Sequence, residues 1–446
     1  MKRLLTVAIA TSLTSIAYAT PVYHPLGPNL TYGDISNGQT IMSNITNPAA
    51  GAAVLKNSGN QYRFGILSSL GAGVEYGSID NMYDVIDAQV NNFYDINIDV
   101  ITTPADLAQT ASEIGVAIDS LNATLTAIEK DGFGKAYVSM HVPLMPIVVS
   151  ADWLGGSLVF DANFSLASRA EILHTDIRFD STNISSTTDD INYTVGQSSF
   201  SVDNDDTLLV RAAATAELAL GYSRLMLSAQ NGDLYGGVRG KFYRVGLTQL
   251  NVRMGDVENS EDLFDDIGDE DFTDDTGFGL DIGLLWKAQH YRAGATLTNI
   301  NEPEFKYNNI DNTGYNTSGP IFLRLQKQGS YVMETQLKLE GALFSQNQNW
   351  VLGVGFDANA ANDPFGDDYQ WATVSAAYAS PGWIIPAVRA GYRANLAGSE
   401  LSYLTFGATL FKVFNLDVAY GLDEVDVDGD TLPRSAIINL GVEISL

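Results

Sequence analysis

The sequence predicts an all-β fold, an antiparallel transmembrane β-barrel of about 14 strands. Three observations predict it. The chain of 446 residues is 45% hydrophobic yet only 17% charged, with 41 Gly, 21 Tyr and 19 Phe. Soluble domains carry nearer a quarter charged residues, so strands with one face to lipid and one to water suit this mixture better. From Gln61 onward, runs of 10 to 20 residues alternate apolar with polar or small residues, the period of a strand. The connections between those runs alternate too, tight and then long. A barrel sorts short turns to one rim and long loops to the other, whereas a soluble sandwich has no reason to sort by parity.

The chain opens with an export signal. Lys2 and Arg3 form a basic region, Leu4 to Ile16 is apolar, and Ala17-Tyr18-Ala19 is an A-x-A cleavage site. Residues 1–19 are therefore expected to be a cleaved signal peptide. No later segment has the ~20 uninterrupted apolar residues of a membrane helix, so any span must be made by strands. Residues 20–60 are rich in Gly, Pro and Asn and lack alternation. Such a segment ahead of the first strand can plug a lumen. Residues 61–446 form the barrel, interrupted at 80–131 by a helical insert after strand one. Leu107, Ile114, Ile118, Leu121, Leu125 and Ile128 recur there at helical spacing. Thr103-Pro104 starts that helix and Asp131-Gly132 stops it.

Fourteen runs are expected: 61–77, 134–144, 156–179, 207–228, 233–252, 276–288, 289–300, 330–345, 348–359, 369–380, 385–396, 399–412, 413–423 and 434–446. Their parity assigns faces. Ala436, Ile438, Leu440, Val442, Ile444 and Leu446 face lipid, as do Leu218, Leu220, Phe278, Ile282, Met333, Leu337 and Leu339. The opposite parity places Arg211, Glu217, Arg239, Lys241, Glu334, Lys338, Glu340, Arg389, Arg393, Asp417 and Glu443 in the lumen. Opposite charges there are most simply paired wall residues. Tyr243, Trp286, Trp350, Trp371 and Trp383, near run ends, suit interfacial girdles.

Composition and motifs exclude several functions. With 24 Lys+Arg against 53 Asp+Glu, the net charge of -29 argues against nucleic acid as a partner. The absence of cysteine excludes disulfides, thiolate metal sites and cysteine nucleophiles. His24, His141, His174 and His290 have no partners at metal-ligand spacing, and neither a nucleophile elbow nor a phosphate loop occurs. No cofactor and no enzymatic activity are expected. Asp426-Val427-Asp428-Gly429-Asp430 looks like part of a calcium loop, but Ser435 stands where its closing Glu belongs.

Asn47-Pro48-Ala49-Ala50 resembles the Asn-Pro-Ala motif in the N-terminal hatch of FadL-like outer-membrane transporters. Gly277-Phe278-Gly279-Leu280-Asp281-Ile282-Gly283 and Arg292-Ala293-Gly294-Ala295-Thr296-Leu297-Thr298-Asn299-Ile300-Asn301-Glu302-Pro303 resemble a paired-strand signature of one branch, the barrel-type conjugal transfer protein TraF. Arg389-Ala390-Gly391-Tyr392-Arg393 and Pro433-Arg434 are similar as well. The thioredoxin-like TraF of F-type conjugation is a different protein, and this cysteine-free chain does not resemble it. Leu446 departs from the Phe common at barrel C-termini.

The resemblance implies a hatch-plugged barrel, with Asn47, Pro48 and Ala49 as hatch positions. It places the protein in the outer membrane of a Gram-negative bacterium, among lipid and lipopolysaccharide. Two functions compete. One is a FadL-like channel or transporter for small hydrophobic molecules. The other is an envelope component of a conjugative transfer system, meeting envelope or conjugation proteins through its loops and helical insert.

Overall fold

The computed structural model describes residues 27–36, 38, 40–54, 61–82, 84, 85, 88, 104–177, 205–253, 272–310, 312–327, 329–379, 382–427 and 429–445. The expected signal peptide at 1–19, His24 and most of 80–103 lie outside them.

Three short helices open the described chain: α1 (Asn29–Tyr32), α2 (Ser43–Thr46) and α3 (Ala50–Val54). β1 (Gln61–Tyr76) follows, then the helix α4 (Pro104–Asp131) and two collinear strands, β2 (Phe133–His141) and β3 (Ile147–Ala151). Next come β4 (Gly156–Leu173), β5 (Thr207–Ala229), β6 (Gly232–Arg253), β7 (Thr273–Lys287) and β8 (Tyr291–Thr298). A rim excursion holds β9 (Glu304–Lys306), α5 (Pro320–Lys327) and β10 (Ser330–Val332). β11 (Gln336–Phe344) and β12 (Trp350–Asp357) return to the wall, and a small hairpin of β13 (Ala361–Asn362) and β14 (Asp368–Tyr369) leaves it. The chain ends with β15 (Trp371–Tyr378), β16 (Ala387–Asn395), β17 (Ser402–Leu410), β18 (Phe414–Gly421), the hairpin β19 (Glu424–Val427) and β20 (Asp430–Pro433), and β21 (Ser435–Ser445).

The wall is a closed antiparallel barrel. Hydrogen-bonded neighbours run β2-β1-β21-β18-β17-β16-β15-β12-β11-β8-β7-β6-β5-β4-β3, and the further pairings of β2 with β4 and β1 with β3 close the ring. β1 pairs with β2 over Leu70–Tyr76 and with β3 over Gln61–Phe64. β2 and β3 therefore act as one wall strand broken at 142–146, and the wall has 14 strands. Closure leaves no open sheet edge around the ring. The break is stitched: Val142 N donates to Ala162 O, Leu144 N to Ile66 O, and Gly65 N to Pro146 O. Beside it, register shifts in β1 turn both Ser68 and Ser69 inward, where both are buried.

The expected runs coincide with wall strands to within three residues at most ends and six at two, the end of β4 and the start of β11. β3, the rim hairpins and α5 were not expected, because three- and five-residue strands are too short to show a period. α4 starts at Pro104 and ends at Asp131, as its start and stop residues imply.

Alternation sorts the two faces. Leu218, Leu220, Phe278, Ile282, Leu284, Leu416, Ile438 and Leu440 are exposed on the outside. Ser139, Asp161, Thr215, Arg239, Asp281, Ser375 and Asn439, on the other parity, are buried. The packed core thus lies inside the ring, not between layers. Both chain ends of the barrel, Gln61 and Ser445, sit on one rim, called here the terminal rim; the strand ends that the long connections join lie on the far rim.

Candidate functional site: the filled bore

Residues 27–54 occupy the bore. The chain turns tightly at Asn47: its side-chain Oδ1 accepts from Ala49 N at 2.9 Å, and its carbonyl accepts from Ala50 N at 2.9 Å. Asn readily makes such a local turn, and Pro48 restricts the backbone beside it. The turn leaves Asn47 Nδ2 free to donate to Glu340 Oε1 at 2.6 Å and to Leu284 O at 3.3 Å. Its seat is made of glycine. Gly237 and Gly283 are directly paired on β6 and β7, both inward. A Cβ on Gly283 would lie 2.9 Å from Pro48 Cδ and overlap Asn47 Oδ1; one on Gly237 would lie 2.6 Å from Ala49 N. Gly391 and Gly353 do the same farther round, a Cβ at Gly391 meeting Thr31 O at 2.8 Å and one at Gly353 running into Ile35.

The wall charges expected in the lumen make two kinds of contact. Some hold the N-terminal segment. Glu340 accepts from Ser36 Oγ at 2.7 Å and from Ser36 N, while Arg292 donates to Ser36 O at 3.0 Å. Glu443 accepts from Thr40 Oγ1 at 2.8 Å and Ile41 N at 2.9 Å. Lys338 pairs with Asp34 at 2.7 Å. Arg393 donates to Leu30 O at 3.1 Å and lies over the Trp371 ring. Arg239 bonds Ile45 O, Asp161 and Glu217 together. Thr31 Oγ1 donates to Asp417, which also receives Arg389. The others pair within the wall: Arg211 with Glu171 at 2.7 Å, and Lys241 with Asp281 at 2.7 Å. Glu334 is not on a wall strand; it accepts from Asn362 N at the far rim. Buried ions of this kind cost desolvation unless each is paired and hydrogen-bonded, so removing one partner is expensive.

The far half of the bore is aromatic. Tyr243, Val245, Leu247, Phe305, Tyr307, Tyr331, Met333 and Phe365 form one buried cluster, and Tyr137, Tyr369, Trp371, Leu401 and Tyr403 another. Three expected faces are corrected here. Tyr243 and Trp371 are not girdle residues; they point inward and are buried. Met333 does not face lipid, because the chain leaves the wall between β10 and β11 and tucks it into the first cluster. Trp350 and Trp383 are exposed. The calcium-like stretch is the tip of the β19–β20 hairpin, where Asp426 Oδ1 accepts from Thr431 Oγ1. His141 is buried in the wall 3.5 Å from Asp161, and His174 meets Asp206 at 2.9 Å.

Burial by itself would raise the Asp34 carboxyl, but the Lys338 charge and hydrogen bond outweigh it and hold Asp34 below the usual carboxylate range. Burial pushes the Tyr32 phenol up to about 12. At the far rim burial raises Asp363, whereas Lys135 and Arg169 together hold Asp367 well below the ordinary value.

What the inward glycines accommodate, and the β13–β14 hairpin, were missed in the sequence. The glycines did carry a signal, since Gly237, Gly283, Gly353 and Gly391 all fall on the lumen parity. The hairpin carried none: two-residue strands have no period, and its partners are distant in sequence.

A family model described as F plasmid transfer operon, TraF, protein matches residues 44–357, more than two thirds of the chain. No curated protein matches it. Among solved structures, the toluene transporter TodX of Pseudomonas putida is similar at 14% identity and a TM-score of 0.39, covering 96% of this chain and 98% of that one. A Pseudomonas aeruginosa FadL homologue is similar at 12% identity and a TM-score of 0.36, covering 96% and 99%.

Proposed function

The chain belongs to the family described as F plasmid transfer operon TraF protein, and we propose that this member is an exported outer-membrane β-barrel that passes small hydrophobic molecules through a plugged bore. The apolar exterior and the closed ring suit a bilayer, with lipid and lipopolysaccharide around the wall. The signal peptide ends at Ala19, residues 20–60 are the plug, and Asn47, Pro48 and Ala49 are its hatch positions. The terminal rim faces the periplasm.

One observation carries the cargo class. A water-filled pore has a polar interior. This bore instead lines its far half with Tyr137, Tyr243, Phe305, Tyr307, Tyr331, Phe365, Tyr369, Trp371 and Tyr403, all buried. Apolar walls with a few polar groups are what a small hydrophobic ligand meets in its sites. The wall charges hold the plug and one another, which suits positioning. The test is uptake of a radiolabelled monoaromatic hydrocarbon and a medium-chain fatty acid by cells carrying or lacking the protein. Equal uptake of both compounds would refute the reading.

A second reading, an envelope component of conjugative transfer, draws on the family description and on α4. That helix is 28 residues long and presents Glu113, Val116, Asp119 and Ser120 to the outside at the far rim. Mating frequency in a strain with α4 deleted distinguishes the two: this reading expects lost transfer with unchanged uptake.

A further inference from the structure

The N-terminal segment is not the only element inside the bore. The β13–β14 hairpin leaves the wall between β12 and β15, the ninth and tenth of the 14 wall strands counted from β1. It does not fold back on those strands. Its side chains bond Glu75 on β1, Lys135 on β2 and Arg169 on β4, the first three wall strands. In a ring of 14, the second strand is seven places from the ninth. The hairpin therefore crosses the bore to the opposite wall.

Its structure suits a bar. Asp363 Oδ1 accepts from Phe365 N at 2.8 Å and Asp367 N at 2.9 Å, which tightens the tip, and Gly366 supplies the positive φ of +87° that the turn needs. Asp363 Oδ2 is left to receive Lys135 Nζ at 2.7 Å. Asp367 receives both Lys135 and Arg169. Tyr369 accepts from Lys135 at 3.0 Å and donates to Glu75 at 3.3 Å. The Phe365 ring lies between Lys135 and Arg211, 5.7 Å and 6.0 Å from them, and packs into the aromatic cluster. Tyr307 OH donates to Pro364 O at 2.6 Å. Among the described residues, the partners of Asp363 and Asp367 are wall cations and the hairpin's own backbone, while Leu30 of the N-terminal segment packs in the cluster that holds Tyr369.

We propose that the hairpin Ala361–Tyr369 is a second gate, a bar across the far rim latched by Asp363 and Asp367 to Lys135 and Arg169, which must release independently of the plug for a molecule to enter. This rests on reading the bore as a passage. Closure then has two stops in series, and loosening the plug alone does not open the outer end.

The chain has no cysteine, so a single introduced thiol is unique. Thr215 is inward and buried on β5, two residues nearer the terminal rim than Ala213 of the aromatic cluster. In whole cells, Thr215→Cys in the full chain is labelled with a membrane-impermeant maleimide. The bar predicts slow labelling, at least tenfold faster once Asp363→Asn and Asp367→Asn are added, and unchanged when Gly283→Ala loosens the plug instead. Equal rates with and without the latch substitutions, or the same acceleration from Gly283→Ala, overturn the proposal. Should the double variant fail to reach the membrane, Phe365→Ala is read by the same criterion; it removes the ring from its cluster and strands no charge. Hydrocarbon uptake is measured on the same cells. Faster labelling without any protein-dependent uptake sinks the passage reading and leaves the bar. Protein-dependent uptake with unaltered labelling sinks the bar alone.

Discussion

Glu340 and Asn47 show how much of the bore rests on single atoms. One carboxylate receives Ser36 N, Ser36 Oγ and Asn47 Nδ2, donors brought together from two separate turns of the N-terminal segment. Hydrogen bonds to a charged group contribute about 1.5–3 kcal/mol each, and a buried donor left unpaired costs about 1–3 kcal/mol. Glu340→Gln is therefore expected to weaken docking of the segment by about 2–3 kcal/mol, read as faster proteolysis within residues 27–54. Gly283→Ala reaches the same outcome by sterics. Its methyl would overlap Asn47 Oδ1 and press on Pro48, and overpacking of this kind costs about 1–3 kcal/mol. If Gly283→Ala leaves proteolysis unchanged, the glycine seat does not position the plug. On the outside, Leu440 is exposed while its neighbours Asn439 and Gly441 are buried against Ser69 and Ser68. Leu440→Arg is expected to cost about 2–4 kcal/mol if that face lies at the bilayer midplane, seen as a lower denaturant midpoint in lipid, whereas Leu440→Phe should leave the midpoint in place.

Elements differ in how they are held. A wall strand is held by its ladder on both sides, so its position follows from register. The N-terminal segment has no ladder. It is held by side-chain contacts from β6, β8, β11, β16, β18 and β21, and by its own Asn47 side chain on a β7 carbonyl. Its docking should therefore depend on charge in a way the wall does not. Asp34 titrates below the unfolded carboxylate value, so its contribution is complete above that value and is lost as pH falls through the folded one. The contribution of the Asp34–Lys338 pair is expected to stay constant from about pH 9 to about pH 5 and to weaken only below about pH 4. Asp34→Asn should weaken docking at neutral pH as well. Accessibility of a thiol introduced at Ser43 across that pH range checks both statements. Docking lost already at pH 6 would mean another group controls it.

Closure belongs to the whole molecule, since it joins β1 to β21 across nearly the full chain. A closed ring resists unfolding in detergent, so the unheated protein should migrate differently from the boiled protein on a denaturing gel, and alkali should not extract it from membranes. Recovery in the soluble periplasm would end the barrel reading. Much of this architecture was readable in advance. Period-two alternation marked all 14 wall strands, because each strand has one face to the exterior and one to the bore, and parity marked which residues turn inward. Loop lengths marked the two rims, and Pro104 and Asp131 marked the ends of α4. Parity failed where the chain leaves the wall, as at Met333 and Glu334, and near strand ends, where Tyr243 and Trp371 point in. By itself, then, the sequence determined the wall: a strand's facing is a local property, written in neighbouring residues. Only the tertiary structure decided what fills the bore. The seat of Asn47 on Gly237 and Gly283, the grip of Glu443 on Thr40, and the bar reaching from Asp367 to Lys135 each join residues roughly 190 to 400 positions apart. No local period records such contacts, because they exist only once the ring has closed and brought opposite walls within reach of one side chain.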